Sequence, residues 1–168
     1  TDEDLKHYSE NSDWILEEEA ERRIVETLTP NQVDETISFL LNYVFNKKKR
    51  VPYFSRKRAL SALFRLASID RIGQVCQGQD VRNIAKYWQY CGYMSEFEAL
   101  KLPHNLEQVM NGDKVGLVKA LWRDYRDEPL ALRLMSMLIL DFEVDDQKLI
   151  DALKKQLSKF SMTQIALA

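Results

Sequence analysis

The run beginning at Thr29 constrains the fold more than any other part of the sequence. Thr29-Pro30-Asn31-Gln32 offers a hydroxyl for an early helical N–H, a proline at the first helical position and a glutamine able to reach back. Val33, Ile37, Leu40, Leu41 and Val44 then recur at three- and four-residue spacing, which lines one face of a helix and would scatter over both faces of a strand. Such a stripe has to be buried against other helices. The pattern predicts a helix ending near Asn46, where the lysines that follow suit the negative end of the dipole, and Pro52 marks the break.

The same grammar recurs downstream. Leu60, Leu63, Phe64 and Ala67 predict a helix after Ser55, and Ile69, Ile72 and Val75 a short one before Gly78. Asp80 is expected to cap a helix carrying Val81, Ile84, Trp88 and Cys91, with Gly92 as its stop. Ser95-Glu96-Phe97-Glu98 has the form of a second capping box and predicts a new short helix ended by Pro103. Asn105 heads a turn through Val109 and Met110 to Gly112, and Asp113 precedes Leu117, Val118, Leu121 and Trp122. Asp127 and Pro129 open a helix through Leu130, Leu134, Met137 and Leu138; Asp145 opens one through Leu149, Leu153, Leu157 and Phe160.

Only 5 Gly and 4 Pro punctuate 168 residues, too few for the tight turns of an all-β protein of this size. The reading is all-α, with about nine or ten helices of unequal length. They are expected to form an irregular α-solenoid of stacked antiparallel helix pairs, since no fixed sequence period is present. Residues 1–168 form one α-helical region on this reading. It has acidic helices over 1–50, a basic loop over 51–58, helical repeats over 59–162 and the start of a further helix over 163–168. Thr1 and Ala168 read as internal positions, so the chain is expected to be a fragment of a longer array.

Charge is unevenly spread. The net charge is −2, yet residues 1–35 hold twelve acids against three bases. Lys47, Lys48, Lys49, Arg50, Arg56, Lys57 and Arg58 then form a basic run with no acid among them, interleaved with Tyr53 and Phe54. Such a run could take phosphates of nucleic acid or an anionic lipid surface. Alternatively it is a solvated connection facing an acidic partner or the chain's own acidic start. One cluster without a second basic face is weak footing for a polyanion, so neither nucleic acid nor membrane is expected as a partner. No apolar run approaches the ~18 residues of a membrane span, and no signal peptide is visible.

Residues suited to catalysis are sparse. His7 and His104 lie far apart and lack ligand spacing, and no glycine-rich loop is present to cradle a phosphate. Cys76 and Cys91 form neither a disulfide framework nor a metal set, which suits a reducing, intracellular setting with both thiols as small apolar side chains. A nucleophilic set drawn from Cys91 and His104 has nothing to position it. Glu17, Glu18 and Glu19 read as a solvated helix face, and Asp145 and Asp146 as a cap. No catalytic, metal or cofactor site is predicted.

Binding residues are better candidates. Trp88 and Trp122 sit on apolar stripes and are assigned to the core. Tyr87, Tyr90 and Tyr93 recur every three residues and are expected to offer a partly exposed face with interface anchors. Lys47, Lys48, Lys49 and Arg50 join them as candidate partner-binding residues. The apolar end of the chain, around Phe142, Phe160, Ile165 and Leu167, is expected to lie against another chain.

Several segments also appear in an order that points to a family. Arg58-Ala59-Leu60-Ser61-Ala62-Leu63, Glu96-Phe97-Glu98-Ala99-Leu100-Lys101-Leu102-Pro103, Val118-Lys119-Ala120-Leu121-Trp122-Arg123, Leu130-Ala131-Leu132-Arg133-Leu134 and Leu149 through Met162 follow one another as landmarks. Together they resemble the C-terminal region of the Rod (Rough deal) family. The resemblance implies a non-catalytic scaffold of the Rod–Zwilch–zeste-white-ten complex, which builds the kinetochore corona. It implies recruitment of dynein–dynactin through Spindly and support of spindle checkpoint signalling. Expected partners are zeste-white-ten, Zwilch and a second Rod chain. Expected localisation is kinetochore and spindle in mitosis and cytoplasm otherwise. The same solenoid physics fits a Sec39-type vesicle-tethering subunit, which stands as the alternative; a nucleic-acid or anionic-lipid binder is more distant. Circular dichroism should report at least about 60% helix, and a sheet-dominated spectrum would overturn the fold class.

Overall fold

The structure, a computed structural model, describes residues 19, 22–24, 26–76 and 80–161 with their side chains and residues 162–167 as backbone. The helices are α1 (Pro30–Val44), α2 (Tyr53–Leu66), α3 (Ile69–Val75), α4 (Val81–Ala99), α5 (Leu106–Asn111), α6 (Lys114–Tyr125), α7 (Pro129–Asp141) and α8 (Gln147–Leu167). Residues 22–24 and 26–27 are helical as well, and there is no strand among the described residues. The chain is all-α.

Two compact units emerge, one built from the residues up to Val51 with Arg58–Ile84, the other from Pro52–Lys57 with Ala85–Ala168. In the first, α1 begins as its sequence dictates. The Thr29 side chain accepts from Gln32 N, and the Gln32 side chain accepts from Thr29 N at 2.8 Å. α1 buries Ile37 and Val44, α2 buries Ala59, Leu60 and Leu63, and α3 buries Ile72. α3 packs against α1, and Arg71 bridges them, donating to Asp34 at 2.8 Å and to the Pro30 carbonyl at 3.2 Å.

The second unit has one continuous core. α4 supplies Tyr90, Tyr93, Met94 and Phe97, and α5 supplies Val109. α6 adds Val118 and Leu121, and α7 adds Ala131, Leu132, Leu134, Met135 and Leu138. Leu149 and Leu153 of α8 complete it. α7 packs against both α6 and α8. Asn105 and Asp113 cap α5 and α6 as the sequence predicts, Asp113 accepting from Val115 N and Gly116 N.

Several boundaries differ from the sequence reading, each for a physical reason. α2 starts at Tyr53, so the basic loop over 51–58 is a loop only as far as Pro52. The carboxylate of Glu98, 45 residues away in sequence, accepts from Tyr53 N at 3.1 and 3.2 Å and so caps this helix from a distance. Gly92 does not stop α4, and Ser95 does not open a new helix. The Ser95 hydroxyl donates back to the Gly92 carbonyl at 2.8 Å, and the helix runs on to Ala99. α4 ends when Lys101 takes a left-handed conformation (φ 56°), with Lys101 N donating to Glu98 O and Leu102 N to Phe97 O, a Schellman closure without glycine.

At the start of α7, Asp127 does not cap; it accepts from Gln156 Nε2 at 3.3 Å. Asp146 rather than Asp145 caps α8, accepting from Leu149 N at 3.1 Å. Residues 163–167 continue α8 rather than opening a further helix. Leu157, placed on the buried stripe by spacing, is exposed (39%), because the stripe turns through Gln156, which donates to the Arg126 carbonyl at 2.9 Å, to half-buried Phe160. Leu153→Ala should therefore cost about 2–5 kcal/mol and Leu157→Ala within about 0.5 kcal/mol, as read by urea unfolding.

Candidate partner interface

The basic run is divided by the start of α2. Lys47, Lys48, Lys49 and Arg50 are all exposed in the connection after α1, where the Asn46 side chain accepts from Lys48 N at 2.9 Å. Arg56 and Lys57 instead turn into the second unit. Arg56 donates to the Tyr87 hydroxyl at 2.7 Å and lies over the Tyr53 ring at 4.9 Å, while Lys57 Nζ lies 5.7 Å from the centre of the Trp88 ring. Gly92 permits that approach, since a Cβ there would meet Lys57 Nζ at 2.8 Å. So the lysine-rich connection and the helical cations sit in different surroundings.

The tyrosine face is mostly internal, which corrects the expectation of exposed anchors. Tyr90 and Tyr93 are buried, and Tyr87 is half-buried. Tyr90, Tyr93 and Phe142 form a ring cluster with centroids 5.4, 5.7 and 6.0 Å apart. Tyr93 satisfies its hydroxyl by donating to Asp141 at 2.5 Å and accepting from Gln89 at 2.9 Å. Burial, then the Asp141 carboxylate, push its ionisation well above the usual phenol range. Lys114 Nζ lies over Tyr90 and Phe142 at 5.5 and 5.0 Å and donates to the carbonyls of Met110 and Gly112, both at 3.0 Å. Burial and nearby Lys86 lower its pKa. Phe142 and Phe160 are half-buried against the core, and the side chains of Ile165 and Leu167 lie outside the described residues.

Neither potentially catalytic side chain is poised to react. Cys91 is fully buried, and that burial pushes its thiol up to about 11. His104 stacks on Phe97 at 4.1 Å, its Nδ1 is buried without a hydrogen-bond partner, and burial lowers its pKa. His7, Glu17 and Glu18 lie outside the described residues. Among the described residues no group of three or more His, Cys, Asp or Glu is placed to hold a metal, and no helix is long and apolar enough to cross a membrane.

An open groove of about 540 Å³ remains beside α4, lined by Lys57, Lys86, Trp88, Met137 and Asp141 among others. Sequence reasoning missed another surface. Phe39 and Tyr43, one turn apart on α1, are 67% and 39% exposed. The signal was available, because both lie off the Ile37–Val44 stripe.

The arrangement offers surfaces for contact, and comparison with known proteins places it. The sequence matches the family described as Rough deal protein C-terminal region over residues 1–166. This chain belongs to that Rod family. It is 26% identical over 153 residues to kinetochore-associated protein 1 of mouse and of human, covering 88% of this chain. The chain spans about 7% of the length of those relatives. No solved structure matches. Rod-family membership thus accounts for the collinear landmarks from Arg58 to Met162 and extends the match through the acidic start.

His104 gives a pH test. With a folded pKa lowered below 6.5, its neutral form is favoured on folding, so its stability contribution is present above that value and is lost as pH falls through the folded pKa. Between pH 7 and 5, His104→Phe should therefore lose less stability than the parent chain, measured by thermal melts at matched ionic strength.

Proposed function

We propose that this chain is a non-catalytic helical scaffold segment of a kinetochore-associated protein acting in mitosis and cell division. The observation that carries the reading is the Rod-family match over residues 1–166, together with relatives named kinetochore-associated protein 1. The finer reading places it in a Rod–Zwilch–zeste-white-ten assembly, with zeste-white-ten, Zwilch and a second Rod chain as contacts. Dynein–dynactin recruitment through Spindly and checkpoint support belong to the assembly rather than to a single site. Its working localisation is the kinetochore and spindle in mitosis, and the cytoplasm otherwise.

The chemistry supports a contact role. A nucleophilic thiol needs a depressed pKa and access, whereas Cys91 is buried and its thiol is pushed up to about 11 by that burial. Neighbouring helices that pack in sequence order, α6 on α7 and α7 on α8, fit an irregular solenoid forming one region with the rest of a longer protein. Lys47 to Arg50 and the C-terminal apolar residues Phe142, Phe160, Ile165 and Leu167 are the proposed contact points; buried Tyr90 and Tyr93 pack against Phe142 from inside.

A full-length protein containing this region, tagged and followed through mitosis, should concentrate at kinetochores and co-purify with Zwilch and zeste-white-ten. Steady residence at the endoplasmic reticulum with tether subunits would replace this reading with the Sec39-type alternative.

A further inference from the structure

α1 has a second apolar face that the described residues of its unit leave exposed. Ile37 and Val44 point into the core, whereas Phe39 and Tyr43 stand one turn apart in solvent. Single exposed apolar residues are ordinary, but an aromatic pair in register on a helix is the form of an interface anchor. Directly after α1 come the exposed Lys47, Lys48, Lys49 and Arg50, their turn held by the Asn46 side chain. From Thr36 to Ile69 the sequence contains no Asp or Glu. An apolar ridge thus leads into a patch of one sign.

We infer that the Phe39–Tyr43 face of α1 and the adjoining Lys47–Arg50 turn form a docking site for an acidic amphipathic helical segment of a protein partner. Charge complementarity selects the occupant. Apolar residues of the incoming helix cover Phe39 and Tyr43, and its carboxylates meet the four cations. A nucleic acid or an anionic membrane fits less well. Either would extend its phosphates over Glu35, which lies one turn before Phe39 on the same face. A short acidic helix can stop before reaching it. This inference stands independently of the kinetochore reading.

Fluorescence anisotropy on the whole chain tests it with a labelled leucine–glutamate model helix of about 20 residues, its leucines at i, i+3, i+4 and i+7. The comparison probes are its leucine–lysine counterpart, an oligo-dT strand and phosphatidylserine vesicles. The acidic helix should bind saturably, with Kd on the order of 10 µM, and more tightly than every other probe. Phe39→Ser with Tyr43→Ser, and separately Lys47→Glu with Lys48→Glu and Lys49→Glu, should each weaken it about tenfold or more, the charge effect shrinking at high salt. All five positions are exposed, so thermal melts of both variants should match the parent. No saturable binding, equal affinity for the lysine helix, preference for oligo-dT or vesicles, or unchanged affinity in either variant would overturn the proposal.

Discussion

The second unit depends on the buried side of α7. Ala131, Leu132, Leu134, Met135 and Leu138 are each 1% exposed or less and line one wide arc of this helix, while Leu130 and Leu140 outside that arc are exposed. An arc that wide needs more than one neighbour, and α6 and α8 pack against this helix. Its few polar groups are settled locally or at the rim. Ser136 donates to the Leu132 carbonyl, Arg133 reaches Glu96 at 3.5 Å, and Asp141 receives the Tyr93 hydroxyl. Among the described residues the fully buried side chains are aliphatic, aromatic or sulfur-containing, so packing volume governs the core, and large-to-small changes there carry the cavity cost.

Local chemistry was largely legible. Thr29, Asn105 and Asp113 each satisfy helical N–H groups within three residues, and such short-range bonds leave a residue pattern in the sequence. What escaped depends on long-range partners or on strained backbone. The Glu98 cap of α2 crosses 45 residues, and the Tyr93–Asp141 bond crosses 48. α4 closes on a left-handed lysine, and Glu143 (φ 48°) follows α7 in the same conformation, with Val144 N donating to Ile139 O. A glycine rule finds neither. In both places the next residue, Leu102 or Val144, is at least half-buried, and that apolar contact helps hold a conformation that costs a side-chain-bearing residue energy.

The candidate site shows the same division. A three-residue spacing places Tyr87, Tyr90 and Tyr93 on a drifting strip of helix but says nothing about which side of the strip faces inward. Phe142, supplied from beyond α7, decides it by packing on Tyr90 and Tyr93. The basic run likewise looked uniform in sequence. Helix entry at Tyr53 turns Arg56 and Lys57 toward aromatic rings and leaves Lys47–Arg50 in solvent, so neighbouring cations meet different surroundings.

The Lys47–Arg50 turn follows a helix that is firmly held. α1 is fixed at its start by reciprocal Thr29–Gln32 bonds and to α3 by Arg71, while Ile37 and Val44 anchor its inner face. Phe39 and Tyr43 are therefore presented by a helix that has already lost its backbone freedom, and a partner ordering against it pays chiefly for its own. The same economy explains how relatives can remain recognisable at 26% identity. Stripes and caps tolerate many apolar and polar choices, provided that volume and pattern are kept. A contact surface on such a framework can change its charges without disturbing the core beneath it.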